Sequence, residues 1–330
     1  MNIDSIIPQA QHFPIECIDN NAWLSQEQLG TKAKFWLCTE SDNCTESDNN
    51  DDKNSDPPPP RLFKIGRPNT GENWAEKITC ELCALLGLPH AHYELAVWRR
   101  QKGVLTESFV PRNGRLVLGN ELLSAIHTNY PASQNYKVTD HTFGRIFNYL
   151  NNDKILLPFS WMQPGAAIQD AADVFVGYLL LDAWIANQDR HHENWGVIHF
   201  CGRIYLAPTF DHAASLGQNE TDAKRQRRLT TPAPDPGSIN QFVKKAKSAI
   251  YSKKIDQKPL STIEAFERAA SKRPEAAKFW LQQLVDISKA QCANLFQRLP
   301  PDTEISPTAI EFAMKLLELN KQRLLSEATL

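Results

Sequence analysis

The sequence predicts an α+β fold of two lobes, a small β-rich lobe over about residues 1–111 and a larger helical lobe over 112–330. Three observations carry this reading. Before Pro111 the chain alternates short apolar and aromatic runs with a single amphipathic helical pattern. After Pro111 helical spacing dominates. Within that second part, DVFVGYLLLDAWIA, Asp173 to Ala186, is apolar on nearly every side, as befits a helix at the centre of a lobe.

The elements follow in order. KAKFWLCTE, Lys32 to Glu40, and RLFKIGRP, Arg61 to Pro68, read as two strands. Between them lies a polar, acidic segment closed by Pro57 to Pro60, which belongs to neither strand interior, so the pair is a hairpin with a long tip. That tip repeats TESDN, at Thr39 to Asn43 and Thr45 to Asn49, too short to be a structural repeat. In ENWAEKITCELCALLG the residues Trp74, Ile78, Leu82, Leu85 and Leu86 fall at helical spacing, and Gly87 and Pro89 end the helix. HYELAVW and GVLTESFV supply two further strands, making four strands and one helix in the small lobe. In the second lobe the central helix is followed by a hairpin of GVIHF and RIYLAPTF. Helices are expected at about Thr262 to Ser271, Pro274 to Leu299 and Pro307 to Ser326, the last started by Ser306 and Pro307.

Composition excludes several classes. A hydrophobic content of 42% over 330 residues supports a substantial core. No window approaches the roughly 20 apolar residues a membrane-crossing helix needs, and the N-terminus lacks a basic start followed by an apolar stretch, so a cytoplasmic protein is expected. Seven scattered cysteines, an odd number, argue for free thiols. Cys80 and Cys83 form a CxxC, but in an apolar helical pattern with no second pair, and read as buried thiols. The net charge of −2 hides an acidic segment, Thr39 to Asp56, of net −6 and a basic one, Asp222 to Lys254, of net +7.

The chemistry concentrates at the end of the central helix. NQDRHHENWG, Asn187 to Gly196, delivers a dense polar cluster at the mouth of an apolar core, a costly placement without a role. Asp189 and Asn194 stand in an Asp-x4-Asn spacing, and Asp211 follows at the end of an apolar strand in PTFDH. Phosphoryl transfer needs such a set: one carboxylate to take or orient a substrate hydroxyl proton, with an amide oxygen and a second carboxylate to hold magnesium on the nucleotide phosphates. Protein-kinase catalytic loops use the same spacing, with a later Asp as metal ligand. Lys64, in an apolar strand, suits a phosphate contact if its ammonium faces a cleft, and otherwise is a snorkelling edge residue. Glu76 in the next helix is its candidate partner, with Glu81 in competition. No G-x-G-x-x-G is present, and the acidic hairpin tip would repel a nucleotide lying under it. Two other readings stand beside this one. His191 and His192 suggest a metal hydrolase, although adjacent histidines point apart and seldom share an ion, and the whole cluster could cap a helix and bind nothing.

Taken together, NQDRHHENWG, LAPTFDHAASLG, LFKIGRPNTGENWAEKITCELCALLGLP and ISPTAIEFAMKLLELNKQRLL resemble the HipA-like kinases, over about Leu29 to Leu325. The resemblance implies a bilobal fold akin to protein kinases and phosphoinositide kinases, serine/threonine kinase activity, and ATP with Mg2+ as cofactors. It implies Asp189 as the catalytic aspartate with His191 supporting its loop, and Asn194 and Asp211 as magnesium ligands. Lys64 is similar to the phosphate-binding lysine and Glu76 to its partner. TESFV, Thr106 to Val110, is similar to the adenine-contacting hinge, which nominates Glu107 and Phe109. The family's phosphate loop carries an inhibitory autophosphorylated serine, for which Ser41, Ser47 and Ser55 are candidates. The match is to the compact, stand-alone form, without the N-terminal subdomain of full-length HipA.

The resemblance implies a protein substrate, with an aminoacyl-tRNA synthetase or another translation factor in view, and an antitoxin partner in a toxin–antitoxin system. The basic stretch reads either as a solvated face or as a docking surface for an acidic partner. Direct nucleic-acid binding is not expected, since Phe242 and Tyr251 are its only interleaved aromatics, and no membrane anchor is evident. A nucleotide-binding regulatory pseudokinase and a phosphoinositide-type lipid kinase are the alternatives. Retention of Lys64, Asp189, Asn194 and Asp211 together favours an active enzyme.

Overall fold

A computed structural model describes residues 11–19, 22, 24–26, 33–37, 59–134 and 136–327. Ser41, Ser47 and Ser55, and with them the hairpin tip, lie outside the described residues.

The first lobe is a six-stranded sheet built from β1 (Ile15–Cys17), β2 (Leu24–Gln26), β3 (Lys34–Leu37), β4 (Arg61–Ile65), β5 (Glu94–Trp98) and β6 (Gln101–Glu107). Their spatial order is β1-β5-β6-β4-β3-β2, with only the β1–β5 pair parallel. Four of these strands are the expected ones. The three-residue β1 and β2 were not anticipated, because such short edge strands carry too few residues to show a period.

Alternation along the strands gives the sheet two unlike faces. Phe63, Leu105, Leu37 and Ala96 form a small core on the outer face. The inner face carries Lys34, Trp36, Leu62 and Lys64, with Leu95 and Val104 joining the main core. Helix α1 (Glu72–Leu86) packs there, and it ends as expected at Gly87, whose φ of 71° only glycine adopts without strain.

The chain leaves the first sheet at Glu107 and enters a second at β7 (Arg115–Leu118), which runs directly into α2 (Gly119–Ile126). After α3 (Phe143–Leu150) come β8 (Ile155–Leu156), the central helix α4 (Ala171–Ile185), and the hairpin of β9 (Gly196–Phe200) and β10 (Arg203–Leu206). This second sheet is ordered β7-β9-β10-β8. The hairpin is the expected one; β7 and β8, four and two residues long, again fall below what periodicity resolves.

All fifteen residues of α4 are buried. Its N-cap is Asp170, whose side chain accepts from the Asp173 N–H. Around it pack α7 (Thr262–Lys272), α8 (Pro274–Asp286) and α10 (Pro307–Glu327), reached through α5 (Asp222–Thr230) and α6 (Ile239–Lys244). Indole N–H groups tie the layers together: Trp280 donates to the Asp173 carbonyl at 2.9 Å and Trp184 to the Leu317 carbonyl at 3.2 Å. The helix expected over Pro274 to Leu299 is instead two, α8 and α9 (Lys289–Gln297). The break has a local cause: Ile287 is extended, and Ser288 with Gln291 forms a capping box that starts a new helix. Among the described residues no helix is long and apolar enough to cross a membrane.

Gly177 marks the tightest approach on α4. A Cβ there would sit 2.6 Å from Leu88 Cδ2 and 2.7 Å from Trp280 Cε2. Gly177→Ala is therefore expected to lose roughly 1–2 kcal/mol net, since overpacking outweighs the gain in helix propensity. Urea denaturation measures this, and a raised midpoint would contradict the packing described.

Candidate active site

The buried helix α4 carries one central charge, Asp182, and that charge organises the loop that follows. Arg190, wholly buried, donates from Nε to Asp182 Oδ2 and from Nη2 to Asp182 Oδ1, each at 2.8 Å. The same guanidinium donates to the Asn194 carbonyl at 2.7 Å and to Thr209 Oγ1 at 3.0 Å. Asn187 Nδ2 also donates to Asp182, at 2.8 Å. One bidentate ion pair thus fixes the loop of Asp189 and Asn194 and the strand end that leads to Asp211. The sequence reading missed both partners; an aspartate close to the end of an apolar helical run was the available signal.

Below the loop lies a buried aromatic and imidazole layer. Trp195 Nε1–H donates to His141 Nε2 at 3.0 Å, while His141 Nδ1–H reaches the Ala249 carbonyl at 3.1 Å. Tyr130 Oη meets His192 Nδ1 at 2.9 Å. Burial, the largest cause, pushes the His141 imidazole down to about 3. Its protonation would set an N–H against the Trp195 N–H.

Asp189 stands at the mouth of the cleft between the two sheets. Asn194 Nδ2 donates to its carbonyl at 2.7 Å, which leaves the Asn194 amide oxygen as the atom free to face a cation. His191 holds the turn, accepting the Glu193 N–H at Nδ1 at 3.1 Å, with Nε2 3.7 Å from Asp189 Oδ1.

Asp211 enters from the opposite wall in a left-handed conformation, φ 57°, a strained backbone of the kind found at functional positions. Its N–H donates to Tyr93 Oη at 3.3 Å, and the next N–H, of His212, donates to Glu76 Oε1 at 2.7 Å. Lys34 and Lys64 are directly opposed across β3 and β4, a repulsive cross-strand pair. The Asp211 carboxylate lies between them, 3.6 Å from Lys34 Nζ and 3.5 Å from Lys64 Nζ. Lys64 is 3.9 Å from Glu76 Oε2 and donates to Tyr93 Oη at 3.0 Å. Burial alone would lower the Lys64 pKa, but the carboxylates of Asp211 and Glu76 and the Tyr93 phenol raise it on balance, so the ammonium keeps its charge. Between the two glutamates considered for Lys64, the geometry selects Glu76, because Glu81 pairs with Lys77 at 2.8 Å. Lys34 was missed in the sequence, where its strand gave no reason to prefer it.

Deeper in the cleft, Leu62 from the upper sheet faces Leu116 and Leu118 from the lower one, with Glu107 and Phe109 on the connecting segment. Phe109 stacks on Phe210, ring centroids 5.5 Å apart. The result is an apolar slot at one end and a row of carboxylate, amide and ammonium groups at the other.

The basic stretch is partly used within the molecule. Arg225 is buried, pairs with Asp222 at 2.8 Å and donates to the Gly217 and Gln218 carbonyls. Arg228 pairs with Glu220 at 2.8 Å and lies over the Phe242 ring, and Lys254 reaches Asp140 at 3.1 Å.

A β-rich lobe closing over a helical one, with two loops converging on a polar cleft between them, is a kinase fold. Two solved kinase structures share that fold. The structure of the Helicobacter pylori proinflammatory kinase CtkA matches with a TM-score of 0.66 at 15% identity, covering 96% of this chain and 100% of that one. HipA of Shewanella oneidensis MR-1, in a toxin–antitoxin complex with HipB and operator DNA, matches with a TM-score of 0.50 at 15% identity, over 80% of this chain and 57% of that one. No protein-family model matches the sequence, and no curated protein matches it.

Two outcomes are expected here. Arg190→Met strands Asp182 as a buried charge and should cost about 3–5 kcal/mol in urea denaturation, much of it recovered when Asp182→Leu is added; a loss under about 1 kcal/mol would deny the pair its role. His141 binds its proton in the unfolded chain near 6.5 but in the folded protein only near 3. Its contribution to stability is therefore complete above about pH 6.5 and is lost as pH falls toward 3. The urea midpoint should drop across that window, less steeply in His141→Gln; equal slopes would contradict the assignment.

Proposed function

We propose that this protein is a HipA-like serine/threonine protein kinase that transfers the terminal phosphoryl group of ATP to a hydroxyl on a protein. The observation that carries the reading is the meeting of Lys64, Asp189, Asn194 and Asp211 at the polar end of one cleft whose other end is apolar. The apolar slot suits a purine ring, with backbone groups of the Glu107 to Phe109 segment at its edge.

Each residue has a distinct task. Asp189, more solvent-facing than Asp211, takes the proton of the attacking hydroxyl as its oxygen bonds to phosphorus and the bond to the departing nucleotide breaks. Lys64 neutralises phosphate oxygens, and Glu76 and Tyr93 hold its ammonium in place. His191 keeps Asp189 in its turn. The donor set of one carboxylate and one amide oxygen fits a hard divalent cation, so Asn194 and Asp211 would hold Mg2+, which screens the charge of the phosphates. Lys34 and Lys64 occupy that same carboxylate side with positive charge, so a cation there would share or replace contacts Asp211 already makes.

The toxin reading rests on the HipA likeness, whose structure is a complex with HipB and DNA. On that reading an antitoxin is a partner here, and an aminoacyl-tRNA synthetase or another translation factor is a substrate class. Autophosphorylation at Ser41, Ser47 or Ser55 would add about −1.5 to −2 charges to an already acidic segment and disfavour nucleotide binding.

Incubation with radiolabelled ATP and a cell lysate tests the proposal. Asp189→Asn should lower label incorporation by about 10²–10⁴-fold with the fold intact. Asp211→Asn should abolish transfer and also weaken magnesium-dependent ATP binding in calorimetry. Equal incorporation by wild type and Asp189→Asn would sink the assignment, and mass spectrometry of the same reaction shows whether Ser41, Ser47 or Ser55 carries phosphate.

A further inference from the structure

One helical turn along α1 from Glu76, Cys80 meets two histidines of the segment that joins α1 to β5. The Cys80 thiol and one ring nitrogen each of His90 and His92 lie within 4.8 Å of one another. The two imidazoles are neighbours, centroids 4.7 Å apart. His90 Nδ1–H is committed to the Leu88 carbonyl at 2.7 Å. Its Nε2 is therefore a lone pair, and it is buried without a hydrogen-bond partner. A carbonyl that fixes the tautomer and leaves the other ring nitrogen as a lone pair is how metal-binding histidines are held. His90 and His92 also line a surface groove with Pro60, Pro111 and Trp161, which gives an ion a route in.

We propose that Cys80, His90 and His92 form a binding site for a zinc-class transition-metal ion, and that the bound ion clamps α1 to the loop carrying Asp211. One sulfur and two imidazole nitrogens are borderline-soft donors, which select zinc over magnesium. Three protein ligands leave a fourth tetrahedral position, here toward the groove. Tetrahedral zinc bond lengths place such donors about 3.4–3.6 Å apart, so the cluster closes by about an ångström on binding, within reach of the exposed His92 ring. Burial pushes the Cys80 thiol up to about 12, so in the metal-free protein the sulfur carries its proton. As the S–metal bond forms, the thiol proton passes to solvent and no electron is transferred.

The site is coupled to the cleft by short paths. Cys80 follows Glu76 by one helical turn. The segment around His90 forms a bridge to Thr209, with Ala91 N–H donating to the Thr209 carbonyl at 2.9 Å and Thr209 N–H to the Pro89 carbonyl at 2.9 Å. Tyr93, whose N–H reaches Cys80 Sγ at 3.4 Å, places its hydroxyl against both Lys64 and the Asp211 N–H. An ion here would hold the elements that position Glu76, Tyr93 and Asp211.

The test uses the full chain without an affinity tag, titrated with Co2+ and then Zn2+. Wild type should bind one equivalent of Co2+ with a sulfur-to-cobalt charge-transfer band that Zn2+ removes. Cys80→Ser should lose the band, His92→Ala should weaken binding at least about tenfold, and Cys201→Ser, an exposed thiol elsewhere, should behave as wild type. Zinc should slow amide hydrogen exchange over residues 88–93 and 209–212. No band in folded wild-type protein, or a band that survives Cys80→Ser, overturns the site; unchanged exchange with zinc bound overturns the clamp. If Cys80→Ser does not fold, His92→Ala decides the matter alone, because that side chain is exposed. None of these readouts depends on phosphoryl transfer, so the site and the kinase reading stand or fall separately.

Discussion

The ion pair between Asp182 and Arg190 is the interaction on which the rest of the site depends. Both groups are withdrawn from water, Arg190 entirely, and a buried charge is tolerable only with a partner and good hydrogen bonds. The guanidinium spends its donors on three segments at once: the central helix, the loop of Asn194 and the Thr209 segment beyond β10. Two loops that line the cleft thereby share one rigid anchor. Such a pair adds less to stability than a well-packed apolar core would, and its value lies in fixing the relative position of the loops.

A second electrostatic constraint acts across the cleft. Opposed Lys34 and Lys64 would repel on any isolated sheet, and the Asp211 carboxylate relieves them. The sheet and the helical lobe are therefore drawn together by the same carboxylate that is proposed to hold a metal. A strained φ at Asp211 is maintained by hydrogen bonds on both sides, from its own N–H to Tyr93 and from the His212 N–H to Glu76. The cleft is thus charged, preorganised and already engaged with its own cations.

The likeness to CtkA and HipA persists at 15% identity because a fold is specified by burial pattern and connectivity more than by residue identity. The basic segment is in part used within the molecule. Its net charge of +7 was read either as a solvated face or as a docking surface; Arg225, Arg228 and Lys254 are engaged with Asp222, Glu220 and Asp140, while Lys224, Arg227, Lys244, Lys245 and Lys253 are exposed.

What the sequence determined by itself was local. Helices α1, α4 and α10 were legible because an apolar stripe, a wholly apolar run, and cap residues such as Gly87 and the Ser306–Pro307 pair report on neighbours three or four residues away. Asp189, Asn194 and Asp211 stood out locally too, as polar residues just beyond apolar runs. The break between α8 and α9 was also written locally, in Ser288 and Gln291, and was hidden by the apolar residues on either side. Only the tertiary structure decided that Lys64 meets Glu76 and not Glu81, that Lys34 shares Asp211, that Arg190 answers Asp182, and that Cys80 finds two histidines rather than Cys83. Those pairings depend on how strands and helices cross, which is set by burial of the whole chain and leaves no periodic trace in any one segment.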